Sequence, residues 1–257
     1  EVTTFRTDEN YADGRHPSSI NFSNSKEDAA RRDFTINGLF YNPIKDEIID
    51  SVGGKKDLNK KIIRAIGDPY KRFNEDYLRM LRAVRFQHTL GFSIEPNTED
   101  AIKKNAKNIT KISIERIENE FTRILTESQK PGDALESLRE LGLLQYIFPK
   151  IEKLIGVNQP PNYHPEGDVY THVKLMLNLS TSSEILPSFS RKELCYAILF
   201  HDISKPETFI IENDNGKERI RFLGHEVLGA DVTDKLLKKF NISNKLRNRV
   251  VHVIRNH

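Results

Sequence analysis

Residues 31–38 read RRDFTING and residues 75–82 read EDYLRMLR, and these two stretches determine how the chain folds and what it binds. Each mixes fixed charges with apolar residues, which is typical of a site for a charged, planar ligand. In the second stretch Asp76, Arg79 and Arg82 follow one another at intervals of three residues. Residues three apart are neighbours on a helix, so we expect these side chains to share one helix face.

The second stretch also carries an apolar face. Leu78, Leu81 and Val84 fall on another side of the predicted helix, where they can anchor it in a core. A carboxylate and a guanidinium held side by side on a rigid helix match the hydrogen-bonding edge of a nucleobase. An ordinary salt bridge on a solvated face is the alternative interpretation of this spacing.

Further segments occur in a definite order along the chain. They are EVTTFR (1–6), RRDFTIN (31–37), DSVGGKKDL (50–58), EDYLRMLR (75–82), RF (85–86), LGF (90–92) and SIERI (113–117) followed by Glu120. Together they resemble a class II tRNA nucleotidyltransferase, the family of the CCA-adding enzymes and the bacterial poly(A) polymerases. The resemblance covers about residues 1–150 and is specific, because several unrelated strings occur in one order.

The resemblance implies a nucleotide-binding set that consists of Arg32, Asp33, Asp76, Arg79 and Arg82. Arg32 suits phosphate because its guanidinium donates two parallel hydrogen bonds, and Asp33 suits the hydroxyls of a ribose. Asp76 and Arg79 resemble the protein-based template that selects C and then A, and Arg82 supports that face or reaches phosphate. A salt bridge at a strand end is the alternative role for Arg32 and Asp33.

Glu1 stands where the family places its third metal-site carboxylate, and a solvated Glu is the alternative interpretation. The family's Asp-x-Asp pair, which carries the catalytic Mg²⁺ ions, lies upstream of the matching region. No Asp-x-Asp sequence occurs in the 257 residues. We therefore expect a fragment of a longer protein that does not add nucleotides by itself.

A second constellation of polar residues begins at HPEGD, residues 164–168. It resembles an HD domain, in which imidazoles and a carboxylate on helices converge on one or two divalent transition-metal ions. The resemblance implies a first site of His172, His201 and Asp202 and a second site of His225 and His257. A structural role is the alternative for any single histidine. The family's closing Asp ligand is absent, so we expect a truncated domain.

Composition indicates a globular chain, with 37% hydrophobic and 30% charged residues among 257. No apolar run approaches the roughly 18 residues of a membrane span, so no membrane partner is expected. The single cysteine, Cys195, lies among apolar residues, excludes an internal disulfide and suits the cytosol.

Net charge is only +3, but residues 55–86 hold ten basic and four acidic side chains. This stretch suits a polyphosphate and an RNA backbone, although a solvated lysine-rich surface is the alternative.

Patterning predicts an α+β fold in three parts. Residues 1–55 are the C-terminal part of a nucleotidyltransferase head with a β-sheet, residues 56–157 a mostly α-helical neck and body, and residues 158–257 an all-α HD domain. Asp50 with Gly53-Gly54 resembles the hinge between head and neck, and an ordinary turn is the alternative. The predicted elements are strands at 1–6, 34–41 and 47–50, a mobile loop at 8–25, a helix capped by Ser25 and Asp28, and helices at 74–88, 97–106, 113–126 and 132–142.

The function implied by the resemblance is a cytosolic tRNA 3′-end nucleotidyltransferase. It would add C and A from CTP and ATP, use Mg²⁺ and release pyrophosphate, with the 3′ end and acceptor arm of tRNA as its partner. A poly(A) polymerase of the same family is one alternative. An HD-type metal-dependent phosphohydrolase with a nucleotide-binding module is another, and an RNA-binding fragment without catalysis is a third.

Overall fold

A computed structural model describes residues 6–11, 17–22, 24–181, 189–214 and 217–257. The chain divides into two compact units, Glu1–Ile112 and Ser113–His257. The fold is mostly helical with small sheets in the head region, as the sequence predicted. The predicted three-part division stays a prediction. Among the described residues, no helix is both long enough and apolar enough to cross a membrane.

Within its described residues, the first unit contains three two-stranded sheets. The strands are β1 (Arg6–Tyr11), β2 (Pro17–Phe22), β3 (Leu39–Asn42), β4 (Glu47–Asp50), β5 (Ile62–Ile63) and β6 (Ser93–Ile94). The first two sheets are antiparallel hairpins, whereas β5 and β6 pair in parallel. The strand predicted at 47–50 is confirmed.

The β1–β2 hairpin occupies much of the region predicted as a mobile loop, so that prediction was wrong for the described residues. Its register pairs Arg6 with Phe22 and Tyr11 with Pro17. The two strands are rich in polar residues and lack a regular apolar alternation, which is the signal that identifies strands in a sequence. The strand predicted at 1–6 lies outside the described residues except for Arg6.

The strand predicted at 34–41 is interrupted, which corrects the sequence analysis. Phe34 forms one antiparallel bridge with Ala65, a 3₁₀ helix follows at Thr35–Asn37, and β3 begins only at Leu39. The cause is local: the Asp33 carboxylate accepts hydrogen bonds from its neighbour's backbone N–H and from the Asn37 amide. Such side-chain bonds compete with strand pairing and favour a turn.

The helices of the first unit are α1 (Ser25–Arg31), α2 (Gly54–Lys60), α3 (Pro69–Glu75), α4 (Leu78–Leu90) and α5 (Pro96–Asn105). Asn24, and not Ser25, caps α1 by accepting two backbone N–H groups. The helix predicted at 74–88 is in fact α3 and α4, separated at Asp76, whose backbone is extended. Asp76 therefore does not lie on the helix that carries Arg79 and Arg82.

The apolar face of α4 anchors the core of the first unit. Leu81 and Val84 are fully buried and Leu78 is 7% exposed, as the spacing predicted. Phe34 of the first stretch is fully buried as well, and its ring meets Phe86 edge-on. Both quoted stretches thus place their charged groups on elements that are fixed by the same core.

The segment proposed as a hinge is a tightly bonded turn. The Asp50 carboxylate accepts hydrogen bonds from the backbone N–H groups of Val52, Gly53, Gly54 and Lys55. Gly53 adopts a left-handed conformation at φ 82°, and a Cβ on Gly54 would meet the Thr35 carbonyl oxygen at 2.2 Å. The local structure therefore explains why glycine occupies each of these positions, and the hinge stays a prediction.

The second unit is helical. Its helices are α6 (Ile114–Glu127), α7 (Pro131–Glu140), α8 (Leu144–Ile147), α9 (Pro149–Glu152), α10 (Val169–Leu179), α11 (Arg191–Phe200), α12 (Lys205–Thr208), α13 (His225–Lys239) and α14 (Asn244–Arg255). One antiparallel hairpin, β7 (Phe209–Asp214) with β8 (Lys217–Phe222), was not predicted. A capping box of Ser190 and Glu193 starts α11.

Aromatic rings fill the core of the second unit. Phe148 meets Phe121 and Phe200 edge-on and stacks on Phe240, with centroid distances of 4.6–5.4 Å. Cys195 is fully buried on α11, as expected for a small core residue. This packing fixes α11, at whose end His201 and Asp202 lie.

Candidate functional site

Arg32 is held in place by a buried carboxylate. The Asp28 side chain is fully buried on α1, where one oxygen accepts from Arg31 Nε at 2.9 Å and the other from Arg32 Nε at 3.0 Å. Arg32 also donates to the Asn37 carbonyl and lies over the Phe40 ring. The Arg32 side chain is 31% exposed, so an oriented cation remains partly accessible at the end of α1.

Asp33 joins the two quoted stretches. Its Oδ2 accepts from Arg82 Nε at 2.7 Å, and its Oδ1 accepts from Asn37 Nδ2 at 2.9 Å. Burial alone raises the pKa of Asp33, but the charge and hydrogen bonds of Arg82 and Asn37 outweigh burial and lower it. Asp33 is therefore an ionised carboxylate with fixed orientation.

Arg79 is buried to 8% exposure and is bonded inside the first unit. Its Nη1 donates to the Arg72 carbonyl and to Glu75, and its Nη2 donates to the Arg31 carbonyl. Those bonds use three of the five N–H groups of a guanidinium, counting only partners in the described part of the chain. Asp76 Oδ1 accepts from the Leu78 backbone N–H, so the carboxylate turns toward the start of α4.

Exposed lysines occur along residues 55–71, where the predicted helical body begins. The side chains of Lys55, Lys56, Lys60, Lys61 and Lys71 are all exposed. Their amino groups can contact an extended polyanion without prior rearrangement, since contacts with phosphates need positive charge more than fixed geometry. Glu1, the expected metal-site carboxylate, lies outside the described residues.

Asp202 is the centre of the second cluster, and its carboxylate is 1% exposed. Oδ2 lies 3.1 Å from His201 Nε2 and 2.8 Å from Lys205 Nζ. Oδ1 lies 3.6 Å from His225 Nε2 and 3.8 Å from His257 Nε2. The ligand atoms of His172, His201 and Asp202 lie within 4.8 Å of one another, as do those of Asp202, His225 and His257. The structure thus brings all five predicted metal ligands together.

The four imidazoles of this cluster share one orientation. Nδ1 of His201, His225 and His257 lies 2.6–2.8 Å from the backbone carbonyl three residues earlier. A carbonyl cannot donate, so each of these Nδ1 atoms carries a proton, and the Nε2 atoms of the three rings face Asp202. Nδ1 of His172 lies instead 2.6 Å from Glu166 Oε1. Such outer bonds orient metal-binding histidines.

The electrostatics of the cluster favour the neutral forms of His172 and His225 and an ionised Asp202. Burial lowers the pKa values of His172 and His225, whereas the Asp202 carboxylate, 3.8 Å from His257 Nε2, raises the pKa of His257. Burial alone would raise the pKa of Asp202, but the nearby imidazoles of His201 and His257 and the charge of Lys205 hold it far below its usual range. A neutral imidazole and an ionised carboxylate are the protonation states that bind metals.

The residues present fit a divalent transition metal. Although Lys205 Nζ approaches it, Asp202 Oδ2 is a buried oxygen that no group in the described residues meets with hydrogen-bond geometry. Imidazoles with a carboxylate are the ligand set of Mn²⁺, Fe²⁺, Ni²⁺ and Zn²⁺ rather than of Ca²⁺. When bound, such an ion supplies Lewis acidity toward a phosphate ester. Lys205 also donates to Gln159 Oε1 at 2.7 Å and is thereby fixed beside the centre.

Three of the residues that organise these clusters were not predicted to belong to a site: Asp28, Glu166 and Lys205. Asp28 precedes Arg31 and Arg32 by three and four residues, a spacing that predicts pairs on one helix. Glu166 belongs to the quoted string HPEGD and Lys205 follows Asp202 by three residues, but the contacts of Glu166 with His172 and of Lys205 with Gln159 join different segments. Only the folded chain therefore identifies them.

Three family profiles match consecutive parts of the chain. The Poly A polymerase head domain matches residues 1–64, the probable RNA- and SrmB-binding site of polymerase A matches residues 91–155, and the HD domain matches residues 169–257. The first covers Asp28, Arg32 and Asp33 but not Arg82. The last covers all five predicted metal ligands.

Curated relatives are CCA-adding enzymes. The enzyme from Bacillus subtilis (strain 168) is 39% identical over 193 residues, which cover 74% of this chain and 48% of the relative. The enzyme from Pediococcus pentosaceus is 42% identical over 196 residues, which cover 73% of this chain and 48% of the relative. The chain thus spans about half the length of the curated relatives it matches.

Solved structures agree with the curated relatives. A crystal structure of the Bacillus stearothermophilus CCA-adding enzyme in complex with CTP is similar to this chain, with a TM-score of 0.60 and 27% identity. The similarity covers 99% of this chain and 58% of that one. That protein has been observed with a nucleotide bound.

Proposed function

The chain belongs to the family of class II CCA-adding enzymes, and on this premise we propose that its protein adds C and A to the 3′ end of tRNA. CTP and ATP are the proposed substrates and pyrophosphate the second product. The observation that carries the proposal is the convergence of Arg32, Asp33 and Arg82, because it offers oriented cations beside a fixed carboxylate. A nucleoside triphosphate needs both kinds of group.

We propose that Arg32 binds the triphosphate and that Asp33 accepts from ribose hydroxyls. Asp28 aims the Arg32 guanidinium and thereby limits the entropy lost when phosphate binds. Arg82 already donates to Asp33, so it stabilises the ionised carboxylate and adds positive charge near the phosphates. These roles require no large movement of the core that carries α4.

For Asp76 and Arg79 we propose base recognition. The Asp76 carboxylate lies at the junction of α3 and α4, and Arg79 is one turn further on. The three bonds that Arg79 makes inside the unit hold its guanidinium rigid, and its remaining N–H groups have no hydrogen-bond partner among the described residues. A rigid donor discriminates between bases better than a mobile one, because a wrong base leaves buried groups unpaired.

Mg²⁺ is the proposed cofactor for nucleotidyl transfer, with Glu1 as one carboxylate near it. Two-metal chemistry needs several carboxylates, and the 257 residues contain no Asp-x-Asp pair. We therefore propose that the 257-residue chain alone does not add nucleotides. Incubation with CTP, ATP, Mg²⁺ and tRNA lacking its CCA end should give no extended product, and clear extension would refute this statement.

The proposed nucleic-acid partner is the acceptor arm and 3′ end of tRNA, in the cytoplasm. The exposed lysines at 55–71 and the match to an RNA-binding profile at 91–155 support it. Phosphate contacts of this kind give binding that weakens with rising salt. Titration of fluorescent tRNA at several salt concentrations measures that slope, and a salt-independent affinity would contradict it.

The decisive test uses the full-length protein that contains this chain. Supplied with tRNA lacking CCA, it should incorporate C, C and A and then stop, whereas a poly(A) polymerase would extend a run of A from ATP alone. Arg32→Lys keeps the charge but loses the paired donors, so it should raise KM for both nucleotides. Incorporation with unchanged KM would contradict the phosphate role.

A second candidate activity is hydrolysis of phosphate esters at the Asp202 cluster. A cavity of about 410 Å³ opens beside His225 and Lys205 and is also lined by Tyr163, His164 and Arg221. Its cations suit a phosphate next to the proposed metal ligands. The 257-residue chain with Mn²⁺ or Ni²⁺ should be assayed on 2′,3′-cyclic nucleotides, and equal rates for wild type and His201→Ala would eliminate this activity.

A further inference from the structure

Glu166 contacts a histidine of the Asp202 cluster from outside. Its Oε1 lies 2.6 Å from His172 Nδ1 and 3.1 Å from His164 Nδ1, and its side chain is 20% exposed. The His164 and His172 rings meet edge-on, with centroids 4.9 Å apart. A single carboxylate oxygen therefore lies within hydrogen-bond distance of two imidazoles, one of which is His172.

The distances at Glu166 fit hydrogen bonds better than a shared cation. Two ligand atoms at about 2.1 Å from a tetrahedral metal lie about 3.4 Å apart. The 2.6 Å contact of Glu166 with His172 is far shorter than that and lies in the range of charge-assisted hydrogen bonds. The Nε2 atoms of His201 and His225, at 3.1 and 3.6 Å from Asp202, show the wider spacing instead.

The location of His172 explains why it needs a carboxylate. His201 and His257 lie at or beyond the ends of α11 and α14, where carbonyls of the last turn can accept from a side chain. His225 begins α13 and uses the Phe222 carbonyl of β8. His172 lies inside α10, where backbone carbonyls already accept the hydrogen bonds of the helix. The His172 backbone N–H, for example, donates to the Asp168 carbonyl. Its ring can only be fixed by an acceptor from another segment.

We propose that Glu166 is a positioning residue that holds His172 in the tautomer with the proton on Nδ1, so that Nε2 points at the metal centre with His201 and Asp202. This inference rests on the proposed metal centre. A hydrogen bond from its own backbone N–H, together with those from His164 and His172, lowers the pKa of Glu166 to about 2, which supports its role as a pure acceptor. The Glu166 carboxylate thus contacts Nδ1 of His172, just as backbone carbonyls contact Nδ1 of the other three histidines.

The first readout is the tautomer of His172 in the metal-free 257-residue protein, measured by long-range ¹H–¹⁵N correlation spectra of the imidazoles. Wild type should show the proton on Nδ1. Glu166→Ala should shift His172 toward the other tautomer, because its Nδ1–H loses its acceptor. Glu166→Gln should keep the wild-type tautomer, because the amide oxygen can accept the same hydrogen bond.

The second readout is the affinity for Mn²⁺ alone, measured by calorimetry. Glu166→Ala should weaken binding about 10–100-fold, the usual effect of losing an outer partner of a metal-binding histidine, and Glu166→Gln should recover most of it. The matched control is Glu226→Ala. Glu226 lies 3.3 Å from His225 Nδ1, but that nitrogen already bonds to the Phe222 carbonyl at 2.6 Å. The control should change neither tautomers nor affinity.

An unchanged His172 tautomer in Glu166→Ala would overturn the proposal. Loss of one equivalent of Mn²⁺ in Glu166→Gln would overturn it too, since Glu166 would then be a ligand. If wild type binds no Mn²⁺, the proposed metal centre is wrong, and the metal-free spectra still decide the role of Glu166. Circular dichroism of each variant separates a loss of orientation from a loss of fold.

Discussion

Asp33 Oδ2 lies 2.6 Å from Arg82 Nη2 and 2.7 Å from Arg82 Nε, so that one carboxylate oxygen accepts from two nitrogens of one guanidinium. The two residues are 49 positions apart and come from the two stretches at 31–38 and 75–82. The pair fastens the 3₁₀ turn that follows Asp33 to α4. A ligand that contacts either group therefore alters the environment of the other.

This pair makes the stability of the fold depend on pH. The pKa of Asp33 is lowered in the fold, so its stabilisation is present above the ordinary value of 3.8 and is lost as pH falls through the folded value. Asp33→Asn should lower the free energy of unfolding by about 2 kcal/mol at neutral pH. The difference from wild type should shrink in acid, where wild-type Asp33 is also protonated.

Urea unfolding at a series of pH values measures this difference. Glu99→Gln is the control, because Glu99 forms an exposed pair with Lys103 and should contribute under about 1 kcal/mol at any pH. A penalty for Asp33→Asn that stays constant from neutral to strongly acidic solution would show that the carboxylate charge is not what stabilises the turn.

Asp28→Asn should weaken nucleotide binding although Asp28 itself is fully buried. The substitution removes the charge that holds Arg32 Nε, and a lost charge-assisted bond of about 1.5 kcal/mol corresponds to about tenfold in affinity. Calorimetry with CTP and ATP on the full-length protein tests this expectation. Glu27→Gln, an exposed change on the same helix, is the control. Equal affinities for both variants would remove Asp28 from the site.

Asp76→Asn and Arg79→Lys should damage the choice of nucleotide more than the binding of tRNA. Each replaces a group proposed to pair with the base edge, and such contacts are worth about 1–3 kcal/mol of discrimination. Incorporation of CTP, ATP, GTP and UTP is compared with wild type. Lys71→Ala, in the exposed basic stretch, should show the opposite pattern, with weaker tRNA binding and unchanged choice. Unaltered nucleotide preference in both variants would refute the template role.

Gly54→Ala should destabilise the first unit by about 1–3 kcal/mol, the usual effect of overpacking. The added Cβ would lie 2.2 Å from the Thr35 carbonyl oxygen, a backbone atom that cannot move aside without disturbing the 3₁₀ turn. Thermal unfolding of this variant is compared with Lys55→Ala, an exposed change at the next residue. If both variants unfold like wild type, the close approach is not a constraint.

The structure brings the five residues predicted as metal ligands together, and their role as ligands stays a prediction. The sequence predicted the apolar faces well, because helical spacing leaves a clear pattern. It failed where local side-chain bonds override periodicity. The Asp33–Asn37 bond turns a predicted strand into a 3₁₀ helix, and Asp76 ends α3 rather than continuing into α4. Glu166 and Lys205 also contact His172 and Gln159, which belong to other segments, so periodicity within their own segments does not reveal these contacts.

We expect the Asp202 cluster to bind a transition-metal ion. The 257-residue chain should bind Mn²⁺ or Ni²⁺ more tightly than Ca²⁺, because imidazole ligands favour transition metals. Asp202→Ala combined with His201→Ala should abolish the binding, since Asp202 is the residue that faces His201, His225 and His257 together.

His252→Ala is the matched control, because His252 is exposed on α14 and outside the cluster. Calorimetric titration gives the affinities, and circular dichroism confirms that the variants fold. If the double variant binds as wild type does, the cluster is structural, and the proposed phosphate-ester hydrolysis loses its metal site.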